Sequence, residues 1–457
     1  MKEFKPRGTL MSRDSSLTLK ASLLILGSLS IAHAMPDYSG LPPGPYCAGR
    51  YATGRCCAGR QDDCSAPILS TTCYCDDFCN RTREEDCCPD YWSHCKLITL
   101  PTIDPPISEI RQCFYEGKYY RHGDTFKSNC NTCKCSSLGI AAKVLCEENR
   151  CLIDVDLLEE LANQRDLGWR PGNYSEFWGR TLLQGIELRL GTLNPSRSVS
   201  KMHPVKRHYN PDALPREFDA RLTWPRDISS VKDQGWCGAS WAVSTAQVAS
   251  DRFALMSKGA EAVYLSAQNL ISCNNRGQQG CSGGYLDRAW FYMRKFGVVD
   301  EGCYRWSGIN DKCKIRKRTN LKAAGCRRPP NPLRTELYKV GPAYRLGNET
   351  DIMQEIIISG PVQATMRVHQ DFFTYQTGIY RHSRVAEIYP SGYHSVRIVG
   401  WGESLNYNYP PTKYWIVANS WGSDWGENGF FKIQKGIDEC EIESYVLGIW
   451  PKTVPTN

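Results

Sequence analysis

Hydrophobic and polar positions alternate in two stretches near the end of the chain. Val396 and Ile398 follow His394 at every second position, and Tyr414, Ile416 and Ala418 lead up to Asn419 in the same way. A period of two predicts half-buried β-strands. The polar segment from Glu403 to Lys413 separates them, so a hairpin is expected, with Asn419 beside His394. The stretch from Ser240 to Met256 reads as a helix instead. Near the start, Ala21 to Ile31 is apolar and stands behind Lys2, Lys5, Arg7, Arg13 and Lys20, with Ala32-His33-Ala34 after it. That is the pattern of a cleavable secretion signal over residues 1–34. No later apolar run approaches the roughly 18 residues needed to span a bilayer, so no transmembrane segment is expected. Leu97 to Ile110 contains several Pro and Thr residues and reads as an extended linker.

Cysteine content changes this picture most. The chain of 457 residues, long enough for two to four domains, has 23 cysteines, and sixteen fall between Cys47 and Cys151. Such density belongs to an oxidising compartment. Residues 47–95 hold ten of them: Cys47, Cys56, Cys57, Cys64, Cys73, Cys75, Cys79, Cys87, Cys88 and Cys95. So short a segment cannot stabilise itself by apolar burial, so disulfides must hold it, in a pairing that spacing does not disclose. Adjacent Cys-Cys pairs suit tetrahedral zinc poorly, and no metal or cofactor is expected.

Charge adds less. The net charge is +8, and loss of residues 1–34 removes five basic and two acidic residues, leaving +5. This does not argue for nucleic acid; it permits adhesion to acidic polysaccharide. The run Lys312, Lys314, Arg316, Lys317, Arg318 and Lys322, with Arg327 and Arg328 behind it, would ordinarily be a solvated loop. Its sharper reading is a contact for a heparin-like polysaccharide. Asn80, Asn173 and Asn348 open N-x-[ST] triplets, which secretion would make glycosylation sites.

The chemistry gathers on three positions. Ser240 lies in Q-G-W-C-G-A-S-W (234–241), His394 in G-Y-H-S-V-R-I-V-G-W-G, and Asn419 in V-A-N-S-W-G-S-D-W-G. The Asn419 side-chain oxygen can hold the imidazole in one tautomer, with Trp421 covering that hydrogen bond from water. The first segment resembles the nucleophile motif of papain-like cysteine peptidases, with serine where the family has its reactive cysteine. L-P-R-E-F-D-A-R (214–221), C-S-G-G-Y (281–285), G-P-V-Q-A (360–364) and E-N-G-F-F-K-I (427–433) extend the resemblance, to cathepsin B in particular, over about residues 153–452.

The resemblance implies an α+β fold over residues 213–455, two-lobed, with a helical lobe starting at the Ser240 helix and a β-barrel-like lobe carrying His394 and Asn419. It implies an oxyanion hole formed by Gln234 and the Ser240 backbone N–H, and a substrate groove at Gly283 and Gly284. It also implies disulfides Cys237–Cys281, Cys273–Cys313 and Cys303–Cys326, leaving Cys440 as a buried free thiol, too far from the motif residues to be a substitute nucleophile. Two features depart from cathepsin B. The stretch Cys303 to Cys326 lacks that enzyme's histidine pair, and Tyr445 replaces an acidic groove residue. Residues 153–212 resemble the propeptide, around L-A-N-Q-R-D-L-G-W-R-P-G-N-Y and L-R-L-G-T-L. In the family this segment crosses the cleft against the direction of substrate. Trp169 and Trp178 would anchor it, Leu190 replaces a family cysteine, and Lys206-Arg207 is a candidate cleavage point.

A cysteine can be ionised by a helix N-terminus and a neighbouring imidazolium. A serine hydroxyl is far less acidic and needs concerted proton removal in geometry tuned for oxygen. Loss of several orders of magnitude in rate is the expectation. Upstream, residues 35–98 resemble a somatomedin B domain (C-Y-C-D-D-F-C-N-R-T), with two extra cysteines. Residues 111–152 resemble half of a von Willebrand factor type C module (C-N-T-C-K-C). The whole layout is similar to the tubulointerstitial nephritis antigen family. That resemblance implies a secreted glycoprotein of the extracellular matrix and basement membrane, a pseudoenzyme in cell adhesion that binds laminin, type IV collagen and integrins. The competing expectation is a secreted or lysosomal endopeptidase acting weakly through Ser240 and His394.

Overall fold

The computed structural model describes residues 44–49, 56–68, 71–79, 86–97, 112–138, 141–205, 209–315, 320–404 and 411–455. The expected secretion signal, Asn80, the Lys206-Arg207 pair, Arg316 to Arg318 and most of the linker lie outside these residues. The chain divides into two compact units, Met1–Glu109 and Ile110–Asn457.

In the first unit, the strands Ser65–Ile68 and Thr71–Tyr74 pair antiparallel. All ten cysteines are bridged: Cys47–Cys75, Cys56–Cys95, Cys57–Cys64, Cys73–Cys88 and Cys79–Cys87. The core is largely these disulfides with Ala66, Ile68 and Tyr91, as so short a segment requires.

The second unit opens with a small cysteine-rich module of five short strands, bridged as Cys113–Cys135, Cys130–Cys151 and Cys133–Cys146. No break follows it at the expected boundary of 152 and 153. Leu152 and Ile153 are fully buried in the larger core. The Leu152 N–H donates to Arg180 O and the Asn129 side chain donates to Ile153 O. The module is thus hooked to the segment that follows.

The main sheet has nine strands: β1 (Trp169–Pro171), β2 (Phe218–Asp219), β3 (Tyr344–Arg345), β4 (Val362–Val368), β5 (Tyr375–Tyr380), β6 (Gly392–Ser404), β7 (Thr412–Ala418), β8 (Phe430–Gln434) and β9 (Val446–Gly448). The order is β3-β9-β4-β6-β7-β8-β5-β1, with β2 also on β6. Only β5 and β8 run parallel. The expected hairpin is β6 and β7, paired from Arg397↔Ala418 to Ser404↔Thr412 with a register shift between Ile398 and Gly400. β1 belongs to the propeptide-like segment and completes the sheet edge on β5, leaving that edge no open ladder there.

Against this β lobe stands the helical lobe, with α1 (Ser240–Met256) at its centre and α2 (Leu286–Lys295) beside it. Nearly every side chain of α1 is buried, including Asp251 and Arg252. Both charges are paired, Asp251 with Arg397 and Arg252 with Glu355, as buried charge requires. Gln363 of β4 ties the lobes together. It donates to Ser244 Oγ at 2.7 Å and Thr245 Oγ1 at 2.9 Å on α1, and accepts from Trp290 Nε1 of α2 at 2.6 Å.

The anchoring of the propeptide-like segment differs from expectation at one tryptophan. Trp169 is buried and donates from Nε1 to Arg381 O at 2.9 Å. Trp178 is 41% exposed, and Phe177 is the buried anchor. The single 3₁₀ turn Ser175–Phe177 turns Phe177 inward, edge-on to Trp421 and Phe373, and leaves the next side chain facing water.

Candidate functional site

Ser240 is the first residue of α1 and has no solvent exposure. His394 lies on β6 and Asn419 just past the end of β7, so the hairpin register brings them together. His394 Nε2 donates to Asn419 Oδ1 at 2.8 Å. Trp421 covers the pair, its ring 5.2 Å from the imidazole. The bond fixes the proton on Nε2 and leaves Nδ1 as the basic nitrogen. Nδ1 is buried and has no hydrogen-bond partner. Complete burial, with a smaller push from the Arg189 charge, lowers the His394 pKa to about 4. The imidazole is therefore neutral near pH 7, and no ion pair with position 240 is in place.

The Ser240 hydroxyl is committed elsewhere. Its Oγ lies 2.8 Å from Thr192 Oγ1, a residue of the propeptide-like segment, and accepts from the Ser395 N–H at 3.3 Å. Thr192 Oγ1 in turn donates to Ser395 Oγ at 2.9 Å. Ser395 Oγ lies 3.0 Å from Ser244 Oγ, which donates to the Ser240 carbonyl at 2.6 Å. Each hydroxyl has one proton. With Thr192 and Ser244 spent as donors, Ser240 donates to Thr192 and Ser395 donates to Ser244. The four hydroxyls form one chain, Ser240 to Thr192 to Ser395 to Ser244, that returns to Ser240 only at its carbonyl oxygen; in this hydroxyl ring no proton is directed at His394.

The remaining cleft groups are engaged by the same segment. Gln234 Nε2 donates to Arg189 O at 3.0 Å, Leu190 O at 3.4 Å and Cys237 O at 2.8 Å. Trp421 Nε1 donates to Arg189 O at 2.8 Å. Gly284 exchanges two backbone hydrogen bonds with the segment: its N–H donates to Gly191 O at 3.0 Å, and its carbonyl accepts from Leu193 at 2.9 Å. On the other side, the Thr192 N–H donates to Tyr393 O at 3.1 Å. Gly191, at φ +94°, lies so close to the cleft floor that a Cβ there would fall 2.0 Å from Gly238 O. Gly283, at φ +120°, faces the Leu193 side chain. The Arg189 side chain is buried between Glu176 (2.6 Å) and Asp233 (3.1 Å), with the rings of Phe177, Trp236 and Trp421 around it.

Tyr445 is not gathered into this cluster of contacts. It is buried in the helical-lobe core, where burial and the Asp287 charge push its hydroxyl pKa up. The bridges in this lobe are Cys237–Cys281, Cys273–Cys313 and Cys303–Cys326, and Cys440 is a buried free thiol. Asn173 is exposed. Asn348, also exposed, caps the helix Glu349–Ser359 by accepting from the Asp351 N–H. Among the basic run, Lys312, Lys322, Arg327 and Arg328 are exposed, and Lys314 pairs with Asp311.

Sequence reasoning missed Thr192, Ser244 and Ser395, the partners of the Ser240 hydroxyl. A signal for Thr192 was present: Gly191 in L-R-L-G-T-L marks a close backbone approach, and the next side chain must then face the cleft.

The profile described as "Papain family cysteine protease" matches residues 214–449. A protein of Homo sapiens named tubulointerstitial nephritis antigen-like is 44% identical over 422 residues, covering 88% of each chain. Tubulointerstitial nephritis antigen of Homo sapiens is 40% identical, covering 86% of this chain and 85% of its own. Among solved structures, a procathepsin B S9 from Trypanosoma congolense superposes with a TM-score of 0.56 at 29% identity, covering 66% of this chain and 99% of that one.

Proposed function

We propose that this chain, which belongs to the papain family of cysteine proteases and has tubulointerstitial nephritis antigens among its relatives, is a secreted matrix glycoprotein whose peptidase-like domain grips without hydrolysing. One observation carries the reading. The Ser240 proton is held by Thr192 of the chain's own propeptide-like segment, while the basic nitrogen of His394 has no partner. Serine catalysis needs the opposite arrangement, with the hydroxyl donating to the imidazole. The segment is also tied in ahead of its cleft contacts, by the module bridged through Cys151 at its start and by β1 at the sheet edge. The matrix role, with laminin, type IV collagen, integrins or a heparin-like polysaccharide as partners, rests on kinship with the nephritis antigens and on the disulfide-rich first unit.

The test uses the full secreted chain. It is offered fluorogenic peptides and a serine-directed phosphonylating probe, before and after proteolytic removal of residues 153–212. No turnover and no labelling at Ser240 is the expected result. Labelling lost in Ser240→Ala would make it a peptidase instead. In parallel, solid-phase binding to laminin, type IV collagen and heparin should show saturable retention on at least one, and indifference to all three would remove the matrix reading.

A further inference from the structure

The thiol left over from the disulfide pattern is not isolated. Cys440 lies in a tight turn after β8, in which Asp438, Cys440 and Glu441 all adopt left-handed backbone angles (φ 54°, 52° and 61°). Such angles are uncommon outside glycine and persist only where the surroundings hold them. Here Glu443 caps the turn, accepting from the Gly436 and Asp438 N–H groups. The turn brings Cys440 Sγ and Glu439 Oε1 to the ring of His382, just past the end of β5. His382 Nδ1 lies 2.6 Å from Glu439 Oε1 and 3.9 Å from Cys440 Sγ, and Sγ lies 3.4 Å from Glu439 Oε1. All three donor atoms fall within 4.8 Å of one another, with Glu439 and Cys440 buried.

We propose that His382, Glu439 and Cys440 form a binding site for a divalent cation of the zinc class, a site outside the substrate cleft. A thiolate, an imidazole and a carboxylate are the donor types this borderline-soft ion takes. Tetrahedral bonds of ordinary zinc length place nitrogen and oxygen ligands about 3.4 Å apart, and sulfur about 3.6 Å from either. The two sulfur separations already bracket that value. Only the His382–Glu439 contact has to open, by somewhat less than 1 Å. The far side of the ring is prepared as well, because His382 Nε2 is 3.0 Å from Glu387 Oε1. Histidine ligands of metals are regularly oriented by such a carboxylate on the other nitrogen. His369 stacks on His382, with ring centres 4.8 Å apart, and its Nδ1 is buried without a hydrogen-bond partner.

A cavity of about 540 Å³ is lined by His382, Glu387 and residues 164–167 of the propeptide-like segment; it reaches the histidine and its Glu387 partner but not Glu439 or Cys440. Arg381 and Arg384 line the same cavity and oppose a cation. Glu439 and Glu387 are in direct contact with the ring, one at each nitrogen. An ion here would pin the end of β5, and the segment strand β1 paired to it, onto the turn after β8. The simpler competitor is a protonated His382 bridging two carboxylates with no metal.

All other 22 cysteines are bridged, so any thiol signal from the native chain reports Cys440 alone. The full secreted chain, stripped with chelator and dialysed, is titrated with zinc chloride by calorimetry and with cobalt(II) by absorbance. The expected result is one ion per chain, with a near-ultraviolet thiolate-to-cobalt band. Cys440→Ser should abolish the band and weaken zinc binding at least tenfold, and Glu387→Gln should weaken it 10–100-fold. Near-ultraviolet circular dichroism checks that each variant is folded. Where a variant does not fold, zinc protection of the wild-type thiol from a small methylthiolating reagent gives the same answer. Absence of the band, zinc affinity unchanged in Cys440→Ser, or a thiol modified equally fast with and without zinc would each overturn the site.

Discussion

Thr192→Val tests the hydroxyl ring at the member supplied by the propeptide-like segment. The substitution keeps the shape of the side chain and removes the oxygen. Thr192 is 5% exposed, and its hydroxyl makes two hydrogen bonds, to Ser240 at 2.8 Å and Ser395 at 2.9 Å. Each such bond contributes about 1 kcal/mol net, and a buried donor left without an acceptor costs about 1–3 kcal/mol. Ser240 becomes that donor. The added methyl returns up to about 1 kcal/mol. A net loss of about 3 kcal/mol follows, which for a unit of this size lowers the melting midpoint by about 4 °C. Differential scanning calorimetry of the full chain reads this directly. Thr192→Ser is the partner variant: it keeps the ring and loses one methyl, so it should cost only about 1 kcal/mol. A valine variant as stable as the serine variant would refute the ring.

Three further outcomes follow from the same geometry. His394 is neutral when folded, with its pKa lowered from 6.5 to about 4, so the unfolded chain takes up this proton first as pH falls. The contribution is complete above pH 6.5 and is lost progressively down to pH 4, by about 3 kcal/mol in total, so the urea midpoint of wild type should fall more steeply over that window than that of His394→Gln. Phe177→Ala should cost about 3–5 kcal/mol and Trp178→Ala less than about 0.5 kcal/mol in the same melts, and equal costs would contradict the assignment of Phe177 as anchor. Gly191→Ala cannot keep the segment on the cleft floor, because its Cβ would meet Gly238 O, so limited proteolysis should cut within residues 186–212 faster than in wild type; equal resistance would show that the close approach is dispensable.

What was legible in the sequence divides along chemical rarity. A histidine inside an alternating strand, an asparagine closing another, and a serine in a Cys-Gly-Ala-Ser-Trp frame are each distinctive, and the hairpin that joins the first two follows from period and loop length alone. The helix at Ser240 was readable from its stretch of residues, and the unpaired Cys440 only through the disulfides that the resemblance to cathepsin B implies. The boundary at 152 and 153 was not. Cysteine density stops at Cys151, but the chain's burial does not, since Leu152 and Ile153 continue into the β-lobe core. Composition marks where a module's bridges end, whereas contacts decide where its packing ends. Trp178 misled for a related reason: size suggests an anchor, but a single 3₁₀ turn decides which of two neighbouring aromatics faces inward.

The hydroxyl ring lay furthest from view, and the reason bears on function. Thr192, Ser240, Ser244 and Ser395 are residue types that occur everywhere, and three chain segments must converge before they mean anything. Replacing sulfur by oxygen at position 240 has two consequences, and the sequence displays only one of them. It removes the acidic nucleophile, which is visible. It also supplies a strong donor and acceptor of hydrogen bonds where a thiol is a weak one, and that second property is what lets Thr192 lock onto the site. On this geometry the serine does more than remove a thiol nucleophile. It gives the propeptide-like segment a bond that the family's cysteine could form only weakly, so the change that removes the thiol nucleophile is the same change that favours keeping the cleft filled.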